Sequence, residues 1–416
     1  MQNPDILNQI YPSVYHTTYD QIFTYDNIYN ASIKCANGVR WKRSTQNFLL
    51  NPLSNPYKIY EAMNDKSFRS KGFNHFTINE RGKERDINAV YFDEKIVQKV
   101  ISDLCLRPSI IPRLIPANCA TLPCRGTQAA INHLIEDLTY SYNKYGPECY
   151  IMIMDYHAYY DSVNHIKLLE MMDKWIKDKD LFDLISYFIL QFRTLGGERK
   201  QSGLLDSYDV EDIIFLQDNI LCNNDLIDGL VLPNGAGLGL GSEISQLSGI
   251  SYTNKIDHIV VRQYNIPTYC KYMDDSYMIS NDINKLKECF SCIQEESAKI
   301  NLTYNMKHTK IYKITNTFYF LKKKIRVDTN TGKIYIDLSD EAKAKHRRII
   351  KDHYRLIKEG RMTFEDVFNC YLGWRGTIRY MNTFEYINKL NSEFCYIFRE
   401  YINTDIRNIL FSYSNL

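Results

Sequence analysis

Two adjacent carboxylates at a single bend constrain the fold of this chain more than any other feature. Asp274 and Asp275 lie in Tyr272-Met273-Asp274-Asp275, between the short apolar runs 268–271 and 276–280. This pattern predicts two strands joined by a tight turn. Neighbouring carboxylates repel each other unless a positive charge binds there, and Mg²⁺ is a usual ion for carboxylate oxygens. The sequence therefore predicts a metal site at this turn.

A third acid, Asp155, directly follows the apolar run 150–154, which predicts a buried strand. If the two strand ends are neighbours, Asp155, Asp274 and Asp275 can hold two Mg²⁺ ions about 3.5 to 4 Å apart, with Mn²⁺ as an alternative. Such an ion pair suits phosphoryl transfer, because one ion activates an attacking hydroxyl and the other stabilises a pyrophosphate leaving group. These three residues are the predicted metal ligands and catalytic residues.

Strand and helix patterns alternate along the chain and then give way to helices alone. Helical spacing is present at 127–144, 165–177 and 286–300, a further strand pattern at 318–325, and helical patterns after 341 with breaks near Gly360 and Asn382. Ser242 follows a glycine-alternating loop and predicts the N-cap of a helix that carries residues 244–259. This order predicts an α+β core with an appended α-helical domain.

Charge is segregated along the 416 residues, although the net charge is only +2. Bases outnumber acids ten to four in 38–85 and eight to three in 341–361, whereas acids outnumber bases eight to two in 196–231. The basic blocks are either phosphate-binding surfaces or solvated helix faces. The acidic segment 196–231 predicts either a docking loop for a basic partner or another copy of the chain, or a surface excursion.

Cysteine usage and hydropathy indicate the cellular compartment. The eleven cysteines are an odd number without a disulfide framework, which indicates reduced thiols. No run of 18 apolar residues predicts a membrane span, and residues 1–11 lack the features of a secretory signal. We therefore expect no membrane association and a cytoplasmic location.

The order of these motifs resembles that of the reverse transcriptases. Tyr272-Met273-Asp274-Asp275 is similar to the Tyr-x-Asp-Asp motif of that family, and residues 154–162 are similar to its metal-binding motif A. The resemblance covers residues 78–390 and implies a right-hand polymerase with fingers, palm and a C-terminal α-helical thumb. It implies the following boundaries: N-terminal extension 1–77, fingers 78–149, palm 150–326 with the insertion 196–231, and α-helical thumb with tail 327–416.

The resemblance also implies roles for residues around the nucleotide. Arg85 and Arg125 correspond to basic finger positions that meet the triphosphate, although either could be exposed loop charge. Tyr160 lies five residues after Asp155, where a bulky ring would reject a 2′-hydroxyl and favour dNTPs; its alternative is a core position. His308 lies where the family places a general acid.

The assignment of the general acid stays open, because Lys307 and Lys310 flank His308.

One motif departs from the common family pattern. Many reverse transcriptases have Gln-Gly-x-x-x-Ser-Pro where this chain has Leu240-Gly241-Ser242-Glu243-Ile244-Ser245-Gln246. Leu240 and Gly241 are predicted to contact the incoming nucleotide, and Leu240 replaces a polar contact by an apolar one, which predicts altered selectivity. This variant pattern resembles diversity-generating retroelement enzymes and bacterial defence-associated or unknown-group reverse transcriptases.

The resemblance implies an RNA-directed DNA polymerase that uses Mg²⁺, dNTPs and a template RNA, with a dedicated non-coding RNA as one form of template, and releases a DNA product. Antiviral defence in bacteria is the favoured use. The alternatives are an error-prone diversity-generating enzyme, a retron- or intron-like enzyme, a viral-type RNA polymerase, and a polymerase-like RNA-binding scaffold without catalysis. Intact Asp155, Asp274 and Asp275 argue against the scaffold, and Tyr160 argues for DNA synthesis.

Overall fold

The computed structural model describes residues 16–80, 83–191, 235–378 and 380–412. Its α-helices, numbered along the chain, are α1 Tyr19–Ile22, α2 Tyr25–Ala36, α3 Arg43–Leu49, α4 Ser54–Asn64, α5 Phe92–Ile101, α6 Arg107–Ile110, α7 Thr127–Tyr145, α8 Tyr159–Ser162, α9 His165–Asp173, α10 Lys179–Leu190, α11 Glu243–Tyr252, α12 Asn254–His258, α13 Ile283–Ala298, α14 Asp340–Lys358, α15 Phe364–Ile378, α16 Phe384–Ile397 and α17 Thr404–Ser412. Its strands are β1 Phe73–Glu80, β2 Lys83–Val90, β3 Tyr150–Met154, β4 Tyr269–Tyr272, β5 Asp275–Ser280, β6 Lys310–Lys313, β7 Phe318–Phe320, β8 Lys323–Val327 and β9 Ile334–Leu338.

The strands form three sheets. A four-stranded sheet has the order β4-β5-β3-β6, in which β3 and β6 are antiparallel and Ile151 lies opposite Tyr312. β1 and β2 form an antiparallel pair, and β7, β8 and β9 form an antiparallel sheet. Because β3 neighbours β5, the end of β3 just before Asp155 and the start of β5 at Asp275 belong to adjacent strands.

The described residues divide into two compact units. The first comprises those within Met1–Ala130, Met154–Ser276 and Lys287–Thr309, and it contains every described residue of the predicted site. The second comprises those within Ile131–Ile153, Tyr277–Leu286 and Lys310–Leu416. Its C-terminal helices bury an aromatic core of their own, which includes Tyr371, Phe394 and Phe398.

Most predicted elements are confirmed, including the buried strand β3, the strand pair β4 and β5, helix α7 and the α+β class with C-terminal helices. The helix after Ser242 is shorter than predicted, because it ends at Tyr252 and a second helix, α12, begins at Asn254. The predicted helix 165–177 likewise ends at Asp173.

Two further predictions are wrong. The predicted strand 318–325 is two strands, β7 and β8, because Leu321 and Lys322 adopt left-handed φ values of 45° and 63° that reverse the chain. The C-terminal region has four helices rather than three, with an additional break between α16 and α17. The acidic segment 196–231 lies outside the described residues. No described helix combines the length and apolarity that a membrane span requires.

Candidate active site

The turn between β4 and β5 presents the two adjacent acids. β4 ends at Tyr272 and β5 begins at Asp275, so Met273 and Asp274 form the turn itself. Met273 has a left-handed φ of 57°, a conformation that costs a residue other than glycine about 1 to 3 kcal/mol. Such backbone strain is concentrated at functional sites, where surrounding structure maintains it.

The third acid, Asp155, is held by the segment that follows α13. The backbone N–H of Asn305 donates to the Asp155 carbonyl at 2.8 Å, and the Asn305 side-chain amide donates to Asp155 Oδ2 at 3.4 Å. The Asp155 N–H donates to Thr309 Oγ1 at 3.5 Å. Beside it, Tyr156 stacks on Tyr304 with ring centroids 4.3 Å apart. The end of β3 is therefore fixed in position by residues 304–309.

The three acids act on each other electrostatically. Burial and the negative charges of Asp274 and Asp155 together raise the pKa of Asp275 to about 7. All three side chains are half-buried. Within the part of the chain that the structure describes, no three His, Cys, Asp or Glu side chains are arranged to hold a metal ion together. The donor set nevertheless suits a hard divalent cation, because its carboxylate oxygens repel one another and a cation would relieve that repulsion.

Tyr160 connects this turn to helix α11. Its hydroxyl lies 3.6 Å from Met273 Sδ, and its carbonyl accepts a hydrogen bond from Leu238 N at 2.8 Å. A Cβ atom built on Gly249 of α11 would lie 3.5 Å from the Tyr160 hydroxyl, which is ordinary van der Waals contact. The Tyr160 side chain is half-buried.

The loop that carries Leu240 and Gly241 is fixed at its C-terminal end. Gly241 has a φ of 105°, which side chains other than glycine rarely adopt. Ser242 caps α11, because its Oγ accepts a hydrogen bond from Ser245 N at 3.2 Å. The same hydroxyl donates to Oε1 of Gln98 on α5 at 2.9 Å. Leu240 is half-buried two residues before this cap.

Charge reinforces the same junction. Glu243, the first residue of α11, forms ion pairs with Lys99 at 3.0 Å and with Arg107 at 2.6 Å. The side chains of all three are 15 to 26% exposed, so solvent screens the pairs only in part.

A buried histidine fixes the N-terminal end of the loop. His165 Nε2 lies 2.6 Å from the Gly237 carbonyl, and the His165 backbone N–H donates to the Gly235 carbonyl at 2.8 Å. A Cβ atom at Gly235 would approach His165 Nδ1 to 3.1 Å, which is tighter than most real contacts. Glycine at this position therefore allows the loop to lie against the imidazole ring.

A buried ion pair lies directly before the turn. Lys271 Nζ is 3.6 Å from Asp257 Oδ2, and the side chains are 2% and 1% exposed. The Lys271 ammonium also donates to the Thr253 hydroxyl, and the Tyr269 hydroxyl donates to Asp257 Oδ1 at 2.7 Å. Burial lowers the pKa of Lys271 and raises that of Asp257, whereas each charge opposes the shift of the other. The pair joins β4 to α12.

Arg125 supports the same strand from the other side. Its guanidinium Nη1 donates to the carbonyls of Pro116, at 2.6 Å, and Asn118. The segment that it holds is hydrogen-bonded to β4, because Cys119 N donates to the Lys271 carbonyl at 2.8 Å. Burial lowers the pKa of the guanidinium.

The other predicted basic residues lie on β2, in the turn after Asn305 and on β6. Arg85 lies opposite Ile78 in the pairing of β1 with β2. His308 and Lys307 are exposed in the turn between Asn305 and β6, and Lys310 is exposed at the start of β6. The His308 backbone N–H donates to the Asn305 carbonyl at 3.0 Å, so this turn is connected to the residue that holds Asp155.

Sequence reasoning missed the residues that position the site. Asn305 had no predicted role. No pattern in the sequence indicated His165 or Gln98, because their partners Gly237 and Ser242 are 72 and 144 residues away. No pattern indicated the pair Lys271 and Asp257 either, because α12 was expected to continue α11. A buried Lys in an apolar strand pattern was the one available signal, since such a charge requires a partner.

Comparison with known proteins identifies one family and solved structures to which the chain is similar. The family model described as "Reverse transcriptase (RNA-dependent DNA polymerase)" matches residues 71–325. No curated protein matches the sequence. Among the solved structures that match is telomerase from Candida albicans in complex with a fragment of telomeric RNA, with a TM-score of 0.41 and 10% sequence identity. The match covers 83% of this chain and 61% of that one, so the chain spans less than two thirds of the telomerase chain.

Proposed function

The chain belongs to the reverse transcriptase family, and on this premise we propose that it is an RNA-directed DNA polymerase whose active centre is formed by Asp155, Asp274 and Asp275. Its fold is a right-hand polymerase of the α+β class with a C-terminal α-helical thumb. One observation carries the proposal: the negative charges of Asp274 and Asp155 both raise the pKa of the half-buried Asp275, which supports a single site for acids from two distant motifs.

The three carboxylates would hold two divalent cations, Mg²⁺ or Mn²⁺. The chemistry supplied by bound ions there would be activation of the attacking 3′-hydroxyl and neutralisation of charge on the departing pyrophosphate. The chain's own contribution is positioning. The strained turn at Met273 presents Asp274 and Asp275, and Asn305 and Thr309 fix the backbone and side chain of Asp155.

Tyr160 and Leu240 are the proposed determinants of nucleotide choice. The Tyr160 ring is held between the turn and α11 by Met273 and Gly249, so it resists displacement by a ribose 2′-hydroxyl and favours dNTPs. Leu240 offers an apolar contact at a position where many relatives offer an amide, and Gly241 allows the backbone to approach the nucleotide closely.

Basic residues are proposed to act on the triphosphate. Arg85 would meet it as a charged donor. Arg125 would contribute mainly through β4, because two carbonyls already accept from its guanidinium. His308 is proposed as the general acid, with Lys307 and Lys310 as alternatives, since the side chains of all three are exposed.

Primer extension on a defined template tests the proposal. The wild-type protein should extend a DNA primer on RNA with dNTPs and Mg²⁺, and it should incorporate NTPs far less efficiently. Asp274→Asn is the matched inactive variant, because it keeps the size of the side chain while removing its charge. A wild-type protein that incorporates only NTPs on RNA would indicate an RNA polymerase and overturn the assignment.

The specialised use proposed is bacterial antiviral defence with a dedicated non-coding RNA as template. The Leu240-Gly241 pattern and the acid-rich sequence of 196–231 support it, the latter as a dock for a partner protein or a second copy. The same pattern supports an error-prone diversity-generating enzyme as the alternative. Sequencing the nucleic acid that copurifies with the protein, together with its DNA products, separates them: one invariant RNA supports defence, and products mutated relative to their template support diversity generation.

The domain boundaries at 77, 149 and 326 and the cytoplasmic location stay predictions of the sequence.

A further inference from the structure

The segment from Asn27 to Tyr60 contains no acid. It carries five bases, namely Lys34, Arg40, Lys42, Arg43 and Lys58. Lys34 pairs with Asp103, whereas Arg40, Lys42, Arg43 and Lys58 are exposed. Helices α2 and α4 also carry the acids Asp26 and Glu61, and Glu61 lies beside Tyr57. From Tyr25 to Asn64 the five bases and two acids leave a net charge of +3.

Large apolar side chains are exposed among these bases. Trp41 is 74% exposed, Leu50 75%, Leu53 63% and Tyr57 49%. These four side chains are not needed for the core, because α2 and α4 bury other side chains there, including Ile28 and Ile59. Packing within the chain therefore gives no reason for their exposure. Exposed apolar groups that are surrounded by charged residues mark binding surfaces.

The aromatic rings near Tyr57 form an ordered group. Tyr57 lies 6.1 Å from Tyr25 and 6.0 Å from Tyr60, and Tyr25 stacks beside Tyr29 at 6.2 Å, all measured between ring centroids. The Tyr25 hydroxyl donates to the Leu53 carbonyl at 3.3 Å, which ties this group to the exposed turn before α4. Trp41 carries the Lys42 ammonium 5.5 Å from its ring centroid. An exposed ring thus lies beside a cation at Trp41, and further rings cluster around Tyr57.

We propose that this surface, defined by Trp41, Leu50, Leu53 and Tyr57 with Arg40, Lys42, Arg43 and Lys58, binds single-stranded RNA. Unpaired bases stack on aromatic rings while the cations contact the phosphates, a combination that binds single strands with little sequence preference. The proposal rests on the proposed function only for the choice of RNA as the strand, since binding requires no nucleotide incorporation.

A second copy of the chain is the less suitable occupant. A two-fold interface places the same patch on both sides. That arrangement would bring Arg40, Lys42 and Arg43 against their own copies, where the surface has more bases than acids. Protein interfaces also deplete lysine from their centres, whereas a polyanion complements all four cations at once.

The test is the affinity for a fluorescein-labelled single-stranded RNA, measured by fluorescence anisotropy without dNTPs. A probe of about 20 nucleotides exceeds the roughly 4 to 16 that such surfaces cover. Trp41→Ala and Tyr57→Ala should each weaken binding about tenfold, as loss of one stacked base predicts. Tyr140→Ala is the matched control, because Tyr140 is 48% exposed beside Lys144 on α7. Its affinity should equal that of the wild type.

The charge contribution is tested separately. Arg40→Gln with Arg43→Gln should flatten the dependence of log Kd on log salt by about 1.4, since each phosphate contact on a single strand contributes about 0.7. Trp41→Phe retains a ring and should restore most of the affinity, which separates stacking from misfolding. Equal RNA affinity of Trp41→Ala, Tyr57→Ala and the wild type would overturn the proposal. If these variants also changed a wild-type dimer into a monomer, the surface would be an interface between two copies instead.

Failure of this proposal can be distinguished from failure of the polymerase assignment. Asp274→Asn should bind the RNA with wild-type affinity while it incorporates no dNTP. Loss of binding in the surface variants of a protein that never incorporates dNTPs would support the surface and refute the polymerase. Normal RNA affinity in those variants, with normal primer extension by the wild type, would refute the surface and support the polymerase.

Discussion

Removal of either partner of the buried pair Lys271 and Asp257 should destabilise the unit that contains the active site. The two side chains are 2% and 1% exposed, and their charged atoms are 3.6 Å apart. Lys271→Met would leave the Asp257 carboxylate with Tyr269 as its one remaining hydrogen-bond donor among the contacts described above. Asp257→Asn would leave the Lys271 ammonium in a nearly dry site.

The size of the effect follows from this geometry. Two unit charges 3.6 Å apart attract each other by about 5 kcal/mol at an effective dielectric constant of about 20. Removal of one partner of a buried ion pair costs about 3 to 5 kcal/mol, because the other charge stays buried without compensation. Each single variant should lose that much unfolding free energy. The double variant should lose less than either, since no uncompensated charge remains.

The effect of pH on Lys271→Met has a definite sign. In this variant the positive charge of Lys271 no longer opposes the effect of burial, which raises the pKa of Asp257. A carboxyl whose pKa is raised in the folded state contributes stability below its unfolded pKa and loses it as pH rises through the folded pKa. The variant should therefore be closer to the wild type at pH 5 than at pH 8.

Urea unfolding followed by circular dichroism measures these free energies. Hydrogen exchange of the peptide that spans β4 assigns the transition to the unit containing the pair. A single variant that loses less than about 1 kcal/mol, the typical worth of an exposed pair, would refute the reasoning. A double variant whose loss equals the sum of the two single losses would refute it equally, because it would show no coupling.

Three further predictions concern the nucleotide pocket and a buried acid. Tyr160→Ala should raise the ratio of NTP to dNTP incorporation, because it removes the ring beside Met273. Competition assays measure this ratio, and an unchanged ratio would contradict a steric role. Leu240→Gln should lower the primer-extension error rate, and equal error rates would show that Leu240 does not set fidelity. Asp137→Asn should stabilise the second unit at pH 8 by up to about 4 kcal/mol but not near pH 4. Burial raises the pKa of Asp137 to about 7, so wild-type stability falls as pH rises toward that value, whereas an amide cannot ionise and still accepts from Tyr277. Thermal unfolding across this pH range measures the difference in stability between Asp137→Asn and the wild type. A difference that stays constant with pH would contradict the prediction.

The sequence was most informative where a residue's role depends on its own element. The strand run 150–154 and the turn at Met273 are local patterns, and both were predicted correctly. The split of 318–325 into two strands was not predicted, because the left-handed backbone at Leu321 and Lys322 occurs without a glycine. Propensity gives no signal for such a turn when tertiary packing imposes it.

The supporting contacts of the site could not be predicted, because they join residues far apart in sequence. Asn305 reaches Asp155 across 150 residues, and Gln98 reaches Ser242 across 144. A polar side chain in a helix pattern looks the same whether it faces solvent or a distant backbone. The motifs therefore identified the reactive groups, whereas only the fold identified what holds them.

The central claim is that Asp155, Asp274 and Asp275 form the catalytic centre of DNA synthesis. The most direct measurement compares single-turnover dNTP incorporation on an RNA template by Asp275→Asn and by Asp161→Asn, a matched change six residues after Asp155. Asp275→Asn should lose about 100- to 1,000-fold or more, since charge stabilisation by the bound ions is worth several kcal/mol. Asp161→Asn should retain most activity. Full incorporation by Asp275→Asn with RNA still bound would contradict the claim.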